Sequence, residues 1–470
     1  MDRSIRMGEE PIPRLLLHFS LPAVAGLLAN ALYNLVDRIF VGQTVGALGI
    51  AGIAVAFPYV IAGIAFSLLI GVGSSALISI SLGEGKPDIA SRVLGNGMFL
   101  VLILGLPLVV AGRFLAEPVL TLSGATENII GPGLEYLRIV SLGVPATLAT
   151  IVLSHCIRAQ GYPAYAMMVA FLGAGANIAL DALFIFGFSM GIQGAAWATV
   201  ISQYLAAVAS VWFFLSGRGS VRVHLAHLVP ERATLVRIFQ IGIAPFLMEL
   251  SFTLLVGWIN RLLRDYGGDL YISAMGIFFS LDSLLFLPAI GIGQGLQPLV
   301  GYNYGAGNYR RVIETVRLAI VGTTAFFCAS FVVIMLFTAP LVKLFNTSDP
   351  ELLAIATRGL RLCYLGMPLA GIGVMSSFTF QGLGKARQSL FLGIARQVIC
   401  FVPPLLILPG LFGTDGIWLS VPAADVGSAI IGGLFLYVQF RSMRREKMSP
   451  VTVPMFRPEC TEEGKCPPGP

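Results

Sequence analysis

Five carboxylates lie within long apolar stretches of this sequence, where an ionised group needs a physical reason. They are Asp37, Asp181, Glu249, Asp282 and Asp425. A charge at the centre of a lipid-surrounded helix costs on the order of 3 kcal/mol, so such residues tend to bind ions, relay protons or hold ligands. The sequence offers no nucleophile with a neighbouring base, no metal-ligand spacing and no phosphate-binding loop. We therefore expect ion or ligand binding and no enzymatic activity.

Four polar residues in the first half of the chain are predicted to meet at one depth. Asp181 follows Asn177 by four residues, which places both side chains on one helix face. Asp181 and Thr199 lie about seven residues from the predicted outer ends of their helices, roughly 10 Å deep, and Asp37 also lies close to an outer end. Two carboxylates, an amide oxygen and a hydroxyl are ligands that suit a sodium ion, and two close carboxyls can share protons. We predict a cation-coupling site of Asp37, Asn177, Asp181 and Thr199, which would be the metal ligands if sodium is the ion.

Simpler roles remain open for the same residues. Asp37 can form a surface ion pair with Arg38, and Asn177 with Asp181 can be a hydrogen-bonded pair that packs helices. Thr199 can bond its own helix backbone. In the second half, Glu249, Asp282, Asn260 and Asp425 are candidates for a substrate cavity that attracts cations, although these acids can also simply be solvated there.

The composition places the chain in a membrane. Hydrophobic residues make up 56% of the sequence, charged residues only 11%, and the mean hydropathy is +0.85. A soluble domain carries roughly 25% charged residues, so this chain cannot cover itself with polar surface. Apolar runs long enough to cross a bilayer predict an all-α membrane protein with twelve helices at 15–38, 50–80, 94–112, 136–156, 164–188, 192–215, 237–262, 270–300, 316–340, 358–381, 388–410 and 415–440.

The two halves of the chain repeat. Residue types recur at a nearly constant offset of 221 to 223: Pro22 with Pro245, Gly83 with Gly305, Arg138 with Arg361, Pro145 with Pro368, Gly161 with Gly382, and Gly194 with Gly416. Because each half has six helices, the halves are parallel repeats, which place substrate at their interface. We predict two pseudo-symmetric six-helix bundles: an N-lobe at 1–215, a cytoplasmic linker at 216–236, a C-lobe at 237–440 and a disordered tail at 441–470. At the equivalent positions of the repeat, Asp37 becomes Asn260, which favours the N-lobe as the coupling lobe.

Basic residues set the expected orientation. With both termini in the cytoplasm, the inner segments hold 21 lysines and arginines and the outer loops hold 5. No cleavable signal peptide is apparent before the first apolar run. We expect a multi-pass protein of a bacterial or archaeal cytoplasmic (inner) membrane.

The motif Tyr33-Asn34-Leu35-Val36-Asp37-Arg38-Ile39-Phe40-Val41-Gly42, the Asn177/Asp181 pair and the twelve-helix parallel repeat together resemble the multidrug and toxic compound extrusion (MATE) family. The likeness is closer to its DinF-like branch, which includes MepA-type exporters. The resemblance implies exchange of amphipathic, cationic compounds for protons or sodium ions by alternating access. It also implies that the N-lobe quartet is the cation site and that the first helix bends at Pro22, although Pro22 can equally be a plain kink.

A flippase for lipid-linked precursors is the alternative, because such proteins share this architecture. It would need several basic residues in its cavity to hold pyrophosphate, whereas Arg396 is the single base placed deep in a predicted helix. We expect no cofactor beyond the coupling ion and no nucleic acid partner. Small amphipathic substrates and the lipid bilayer are the expected partners of a monomer.

Overall fold

The computed structural model describes residues 3–222, 225–345 and 349–446. Within these ranges the chain forms helices without strands, and twelve of the helices are long and apolar enough to cross a membrane. The predicted all-α fold with twelve spans is confirmed. Spans 1 to 12 are Ile12–Thr44, Leu48–Gly83, Pro87–Phe114, Glu127–Ala159, Pro163–Gly187, Gly191–Leu215, Arg232–Gly267, Asp269–Gly305, Tyr309–Lys343, Pro350–Gly382, Ala386–Phe412 and Thr414–Arg445.

Most spans extend beyond their predicted ends, because the apolar pattern marks the lipid-facing part while the helix continues into polar sequence. Span 4, predicted from 136, begins at Glu127. The last helix continues to Glu446, so the tail predicted from 441 is helical over its first six residues. Residues 447–470, including Cys460 and Cys466, lie outside the described residues.

The sequence repeat is also present in the backbone. Spans 4 and 10 are each interrupted by one 3₁₀ turn, at Ser141–Gly143 and Tyr364–Gly366. Glycines with left-handed backbone conformation also occupy equivalent positions in the two halves, for example Gly85 (φ 72°) and Gly307 (φ 71°). Gly161 has its conformational partner in Gly384 rather than in Gly382, the residue that the sequence offset suggested. Equal turns at equal positions show that the two halves are built on one plan.

The two halves touch closely between the middle of the bundle and the face where span 1 begins and span 12 ends, which we call the terminal face. A Cβ atom on Gly242 of span 7 would lie 1.7 Å from the Leu69 carbonyl oxygen of span 2. Spans 2 and 8 make a second, symmetric pair of contacts at the terminal face, where a Cβ on Gly83 would lie 2.0 Å from the Tyr302 carbonyl oxygen and one on Gly305 would lie 2.1 Å from the Ile80 carbonyl oxygen. These helices meet backbone to backbone, and only glycine permits that approach.

The segment before span 1 is held against the other half. The Arg311 guanidinium on span 9 donates to the backbone carbonyls of Met7 (3.2 Å) and Glu10 (2.6 Å). The Asn303 side-chain amide on span 8 donates to the same Met7 carbonyl at 3.0 Å. The N-terminal helix Arg3–Glu9 therefore links span 1 to the terminal ends of spans 8 and 9.

Candidate functional site

The structure brings together the four N-lobe residues that the sequence singled out. Asp37 lies on span 1, Asn177 and Asp181 on span 5, and Thr199 on span 6. Their exposed fractions are 7%, 1%, 0% and 9% respectively. Span 5 packs closely against both other helices: a Cβ on Gly26 of span 1 would contact the Ala170 methyl of span 5 at 3.4 Å, and one on Gly173 of span 5 would contact the Ala206 methyl of span 6 at 3.3 Å.

One direct bond joins two members of this group, which we call the N-lobe quartet. The Asn177 side-chain nitrogen donates to the Thr199 hydroxyl at 3.4 Å, so Thr199 links span 6 to span 5. The Asn177 side-chain oxygen, both carboxylate oxygens of Asp181 and one of Asp37 are buried without a hydrogen-bond partner. Unmatched buried oxygens are costly. Four acceptors without donors fit a site that is completed by a proton or a cation.

The local backbone at Asp181 is irregular. The α-helix of span 5 ends at Asp181 and continues as a π-helical turn over Ala182–Gly187. π-Helical turns are rare and occur mainly at functional sites. Beside this turn the Phe186 ring packs edge-on against Phe40 of span 1, with centroids 5.2 Å apart. The π-helical turn of span 5 therefore begins directly after Asp181, a member of the quartet.

The two carboxylates interact electrostatically with each other. Arg38 is exposed and its guanidinium lies 5.8 Å from the centroid of the Phe57 ring, whereas Asp37 is buried. This arrangement differs from a solvated surface ion pair, one of the simpler roles considered for Asp37.

Two tyrosines near the quartet were missed at the sequence level. Tyr33 of span 1 and Tyr136 of span 4 both lie close enough to Asp37 and Asp181 to interact with the charges of these carboxylates. Tyr33 precedes Asp37 by one helical turn, a spacing that could have identified it. Tyr136 had no such signal, because it comes from a different helix and only the packing of span 4 places it there.

Pro22, the predicted hinge, lies inside span 1 with continuous helix on both sides. Because proline has no N–H, the carbonyl four residues earlier loses its helical partner there. Pro22 also lies between two contacts with the C-lobe. A Cβ on Gly295 of span 8 would lie 2.9 Å from the Ser20 backbone nitrogen, and one on Gly291 would lie 2.8 Å from that of Val24.

The four C-lobe candidates do not form one group. Asp425 is 4% exposed and accepts a hydrogen bond of 3.0 Å from the Arg396 guanidinium. Asp282 lies within electrostatic range of both. Glu249 and Asn260 are half-buried on span 7. Within the part of the chain that the structure describes, no hydrogen bond or ion pair joins their side chains to Asp282, Arg396 or Asp425. Because Asp425 compensates Arg396, this base is not free to hold pyrophosphate as a flippase would require.

Comparisons of sequence and of structure with known proteins all find transporters of one family. A family model described as MatE matches residues 22–183 and 241–405. The multidrug export protein MepA of Staphylococcus haemolyticus is 29% identical over 446 residues, covering 95% of this chain and 98% of that protein. The MATE multidrug transporter DinF-BH, solved in complex with R6G, is 34% identical with a TM-score of 0.85, covering 92% and 96% of the two chains. An outward-facing multidrug resistance MATE transporter of the MOP superfamily is 25% identical with a TM-score of 0.88, covering 94% and 99%.

Proposed function

The chain belongs to the multidrug and toxic compound extrusion family and is a membrane multidrug efflux transporter, and we propose that it exchanges amphipathic cations for protons or sodium ions. The observation that carries this proposal is the set of buried, unpartnered oxygens on Asp37, Asn177 and Asp181. Two acids at one buried site repel each other unless a proton or cation lies between them. Binding of such an ion therefore changes the energy of the N-lobe, as coupling requires.

Alternating access is the proposed mode of transport. In the part of the chain that the structure describes, the close glycine contacts between the halves lie in the half of the bundle toward the terminal face. The likeness to an outward-facing MATE transporter supports the assignment of this arrangement to a state closed at the cytoplasm. In this orientation both termini are cytoplasmic, the quartet lies near the outer face, and the protein resides in a bacterial or archaeal cytoplasmic membrane.

The quartet supplies the driving step. A cation that enters from outside neutralises Asp37 and Asp181 and removes the repulsion between spans 1 and 5. Span 1 then bends near Pro22, which alters the contacts of Ser20 and Val24 with span 8, and substrate is released outward. Reopening toward the cytoplasm carries the ion inward. The transporter acts as a monomer and uses no cofactor beyond this ion.

The test uses proteoliposomes in which a pH gradient and a sodium gradient are imposed separately. Asp37→Asn and Asp181→Asn remove one charge each while keeping the side-chain shape, and each is expected to abolish gradient-driven efflux of a fluorescent cation. Asp269→Asn is the matched control, because Asp269 is exposed at the start of span 8. Normal efflux by both quartet variants would refute the proposal, and the gradient that drives the wild type identifies the ion.

A further inference from the structure

Span 1 is divided between the hydrophobic cores of the two lobes. Before Pro22, Leu15 and Phe19 are buried in a core of the C-lobe, together with residues of spans 8 to 12. After Pro22, Val41 is buried in the core of the N-lobe, and Asp37 belongs to the quartet. Span 1 therefore passes from one lobe to the other close to the proline at which we expect it to bend.

The N-terminal helix Arg3–Glu9 extends the contact of span 1 with the C-lobe. Met7 is 0% exposed and is buried in the same C-lobe core as Leu15. A Cβ atom on Gly8 would lie 3.1 Å from the ring of Tyr302 on span 8. The first residues of a chain are usually poorly ordered unless specific contacts hold them. The burial of this short helix therefore requires such contacts.

These contacts come from a polar socket formed by Asn303 of span 8 and Arg311 of span 9. Both side chains donate to the Met7 carbonyl, and Arg311 also donates to the Glu10 carbonyl. The last carbonyls of a helix have no partners within the helix, and a guanidinium offers several donors in one fixed plane. The socket is also bonded within the C-lobe, since Arg311 donates to the Asn303 side-chain oxygen at 3.0 Å and Asn303 donates to the Leu299 carbonyl at 2.8 Å.

The linker between the lobes is bonded to the N-lobe at two points. The Val221 N–H donates to the side-chain oxygen of Gln160, directly after span 4, at 3.0 Å. The Glu231 N–H donates to the side-chain oxygen of Asn96 on span 3 at 2.8 Å. Val221 is 1% exposed. We therefore expect the linker to move together with the N-lobe.

The hydroxyls of Ser4 and Ser220 connect the N-terminal helix to this linker. Their oxygens lie 3.5 Å apart, which is long for a hydrogen bond between hydroxyls. The three bonds from the socket to the helix end measure 2.6 to 3.2 Å, and one partner in two of them is charged, which strengthens them. When the lobes separate at the terminal face, the contact between Ser4 and Ser220 is the weaker connection.

We propose that Arg311 is a positioning residue for transport, which docks the N-terminal helix on the C-lobe and so fixes the start of span 1 to that lobe. The inference rests on the proposed alternating access, and it gives a role to a part of the chain away from the quartet. The docked part, up to Phe19, is the fixed end against which span 1 bends at Pro22. The part that carries Asp37 moves with the N-lobe, and the contact between the helix and the linker breaks in each cycle.

Two cross-links decide which lobe the N-terminal helix follows. Both are made in a cysteine-free background, and efflux of a fluorescent cation from proteoliposomes is measured before and after cross-linking. Ser4→Cys with Ser220→Cys forms a disulfide that ties the helix to the linker, so efflux should stop until a reductant restores it. Gly8→Cys with Tyr302→Cys is bridged by dibromobimane, which ties the helix to the C-lobe and should leave efflux as it was before bridging.

The two cross-links give opposite results only if the helix stays on the C-lobe. Loss of efflux through the bridge to span 8, or normal efflux through the disulfide to the linker, would each overturn the inference. Mass spectrometry measures the extent of both cross-links. Failure of either pair to react would contradict the contact on which it rests.

A substitution tests the socket without cross-linking. Arg311→Gln removes the guanidinium, and Arg310→Gln is the matched control because it makes the same change at the adjacent, exposed position. Spin labels at Glu9 and Arg317, both exposed, report the docking by pulsed electron resonance in detergent, where neither an ion nor a substrate is needed. Arg311→Gln should reduce the ratio of docked to undocked helix by roughly tenfold to a hundredfold and add longer distances. Arg310→Gln should keep the distribution of the wild type.

Transport kinetics separate positioning from a general loss of structure. Arg311→Gln should lower the maximal rate of efflux severalfold without raising KM, because the quartet and the substrate cavity are untouched, and the amount of folded protein should stay the same. Full-rate efflux by Arg311→Gln, or a helix that stays docked in this variant, would overturn the inference. If the wild type showed no gradient-driven efflux, the proposed function would fail, whereas the distances in detergent would still decide whether Arg311 docks the helix.

Discussion

Replacement of Gly242 by alanine tests whether the glycine contact between the lobes closes the terminal face. Gly242 lies on span 7, where a Cβ would be 1.7 Å from the Leu69 carbonyl oxygen and 2.5 Å from its carbon. Cβ atoms essentially never approach other atoms within 3.0 Å, so spans 2 and 7 must separate by about 1.3 Å to admit the methyl group. The obstacle is backbone, which cannot rotate away as a side chain can.

The expected consequence is a shift between conformations. Overpacking of a close contact costs about 1–3 kcal/mol, and the cost falls only on the closed arrangement. The ratio of closed to open molecules should therefore decrease by roughly 5- to 150-fold. Gly257→Ala is the matched control, because Gly257 lies on the same span and a methyl group added there would have no neighbour within 4 Å.

The assay is pulsed electron resonance between two spin labels in a cysteine-free background. Labels at Asp88 and Arg310 occupy exposed positions near the terminal face on opposite lobes. Gly242→Ala should populate longer distances than the wild type, whereas Gly257→Ala should leave the distribution unchanged. The reasoning would be refuted by a Gly242→Ala distribution that coincides with the wild type, or by an equal shift in the control.

Three further changes probe the coupling site, the hinge and a turn. Tyr136→Phe removes only the hydroxyl near the quartet; proteoliposome efflux should fall severalfold without loss of folded protein, and unchanged efflux would exclude a role for the hydroxyl. Pro22→Ala restores the backbone N–H that proline lacks and so stiffens span 1. Proteoliposome efflux should slow while the amount of folded protein stays the same, and efflux as fast as that of the wild type or faster would contradict a hinge. Gly85→Ala places a side chain at φ 72° and should lower the free energy of unfolding by about 1–2 kcal/mol, measured by thermal melting. Gly131→Ala is the control: Gly131 lies within a helix, a methyl group there would have no neighbour within 4 Å, and the change should stabilise the protein slightly. Equal melting temperatures of the two variants would refute the backbone argument.

The sequence was sufficient for the elements and their repetition. Apolar runs of spanning length identified twelve helices because lipid requires each span to satisfy its own backbone and to present apolar side chains. The nearly constant offset between the halves agrees with the equal turns of the structure, such as those at Gly85 and Gly307. Asn177 and Asp181 share a helix face, and the structure places Asp37 and Thr199 close to them. The role of the quartet in coupling stays a prediction.

Only the tertiary structure decided which side chains from different helices face each other. Helix rotation and tilt depend on packing between spans, so sequence position gave no sign that Tyr136 approaches Asp37 or that Arg396 pairs with Asp425. The π-helical turns and the glycine contacts between lobes likewise have no local signature. A membrane sequence determines its spans one by one because each is a local response to lipid, whereas a site between spans depends on contacts that no single span contains.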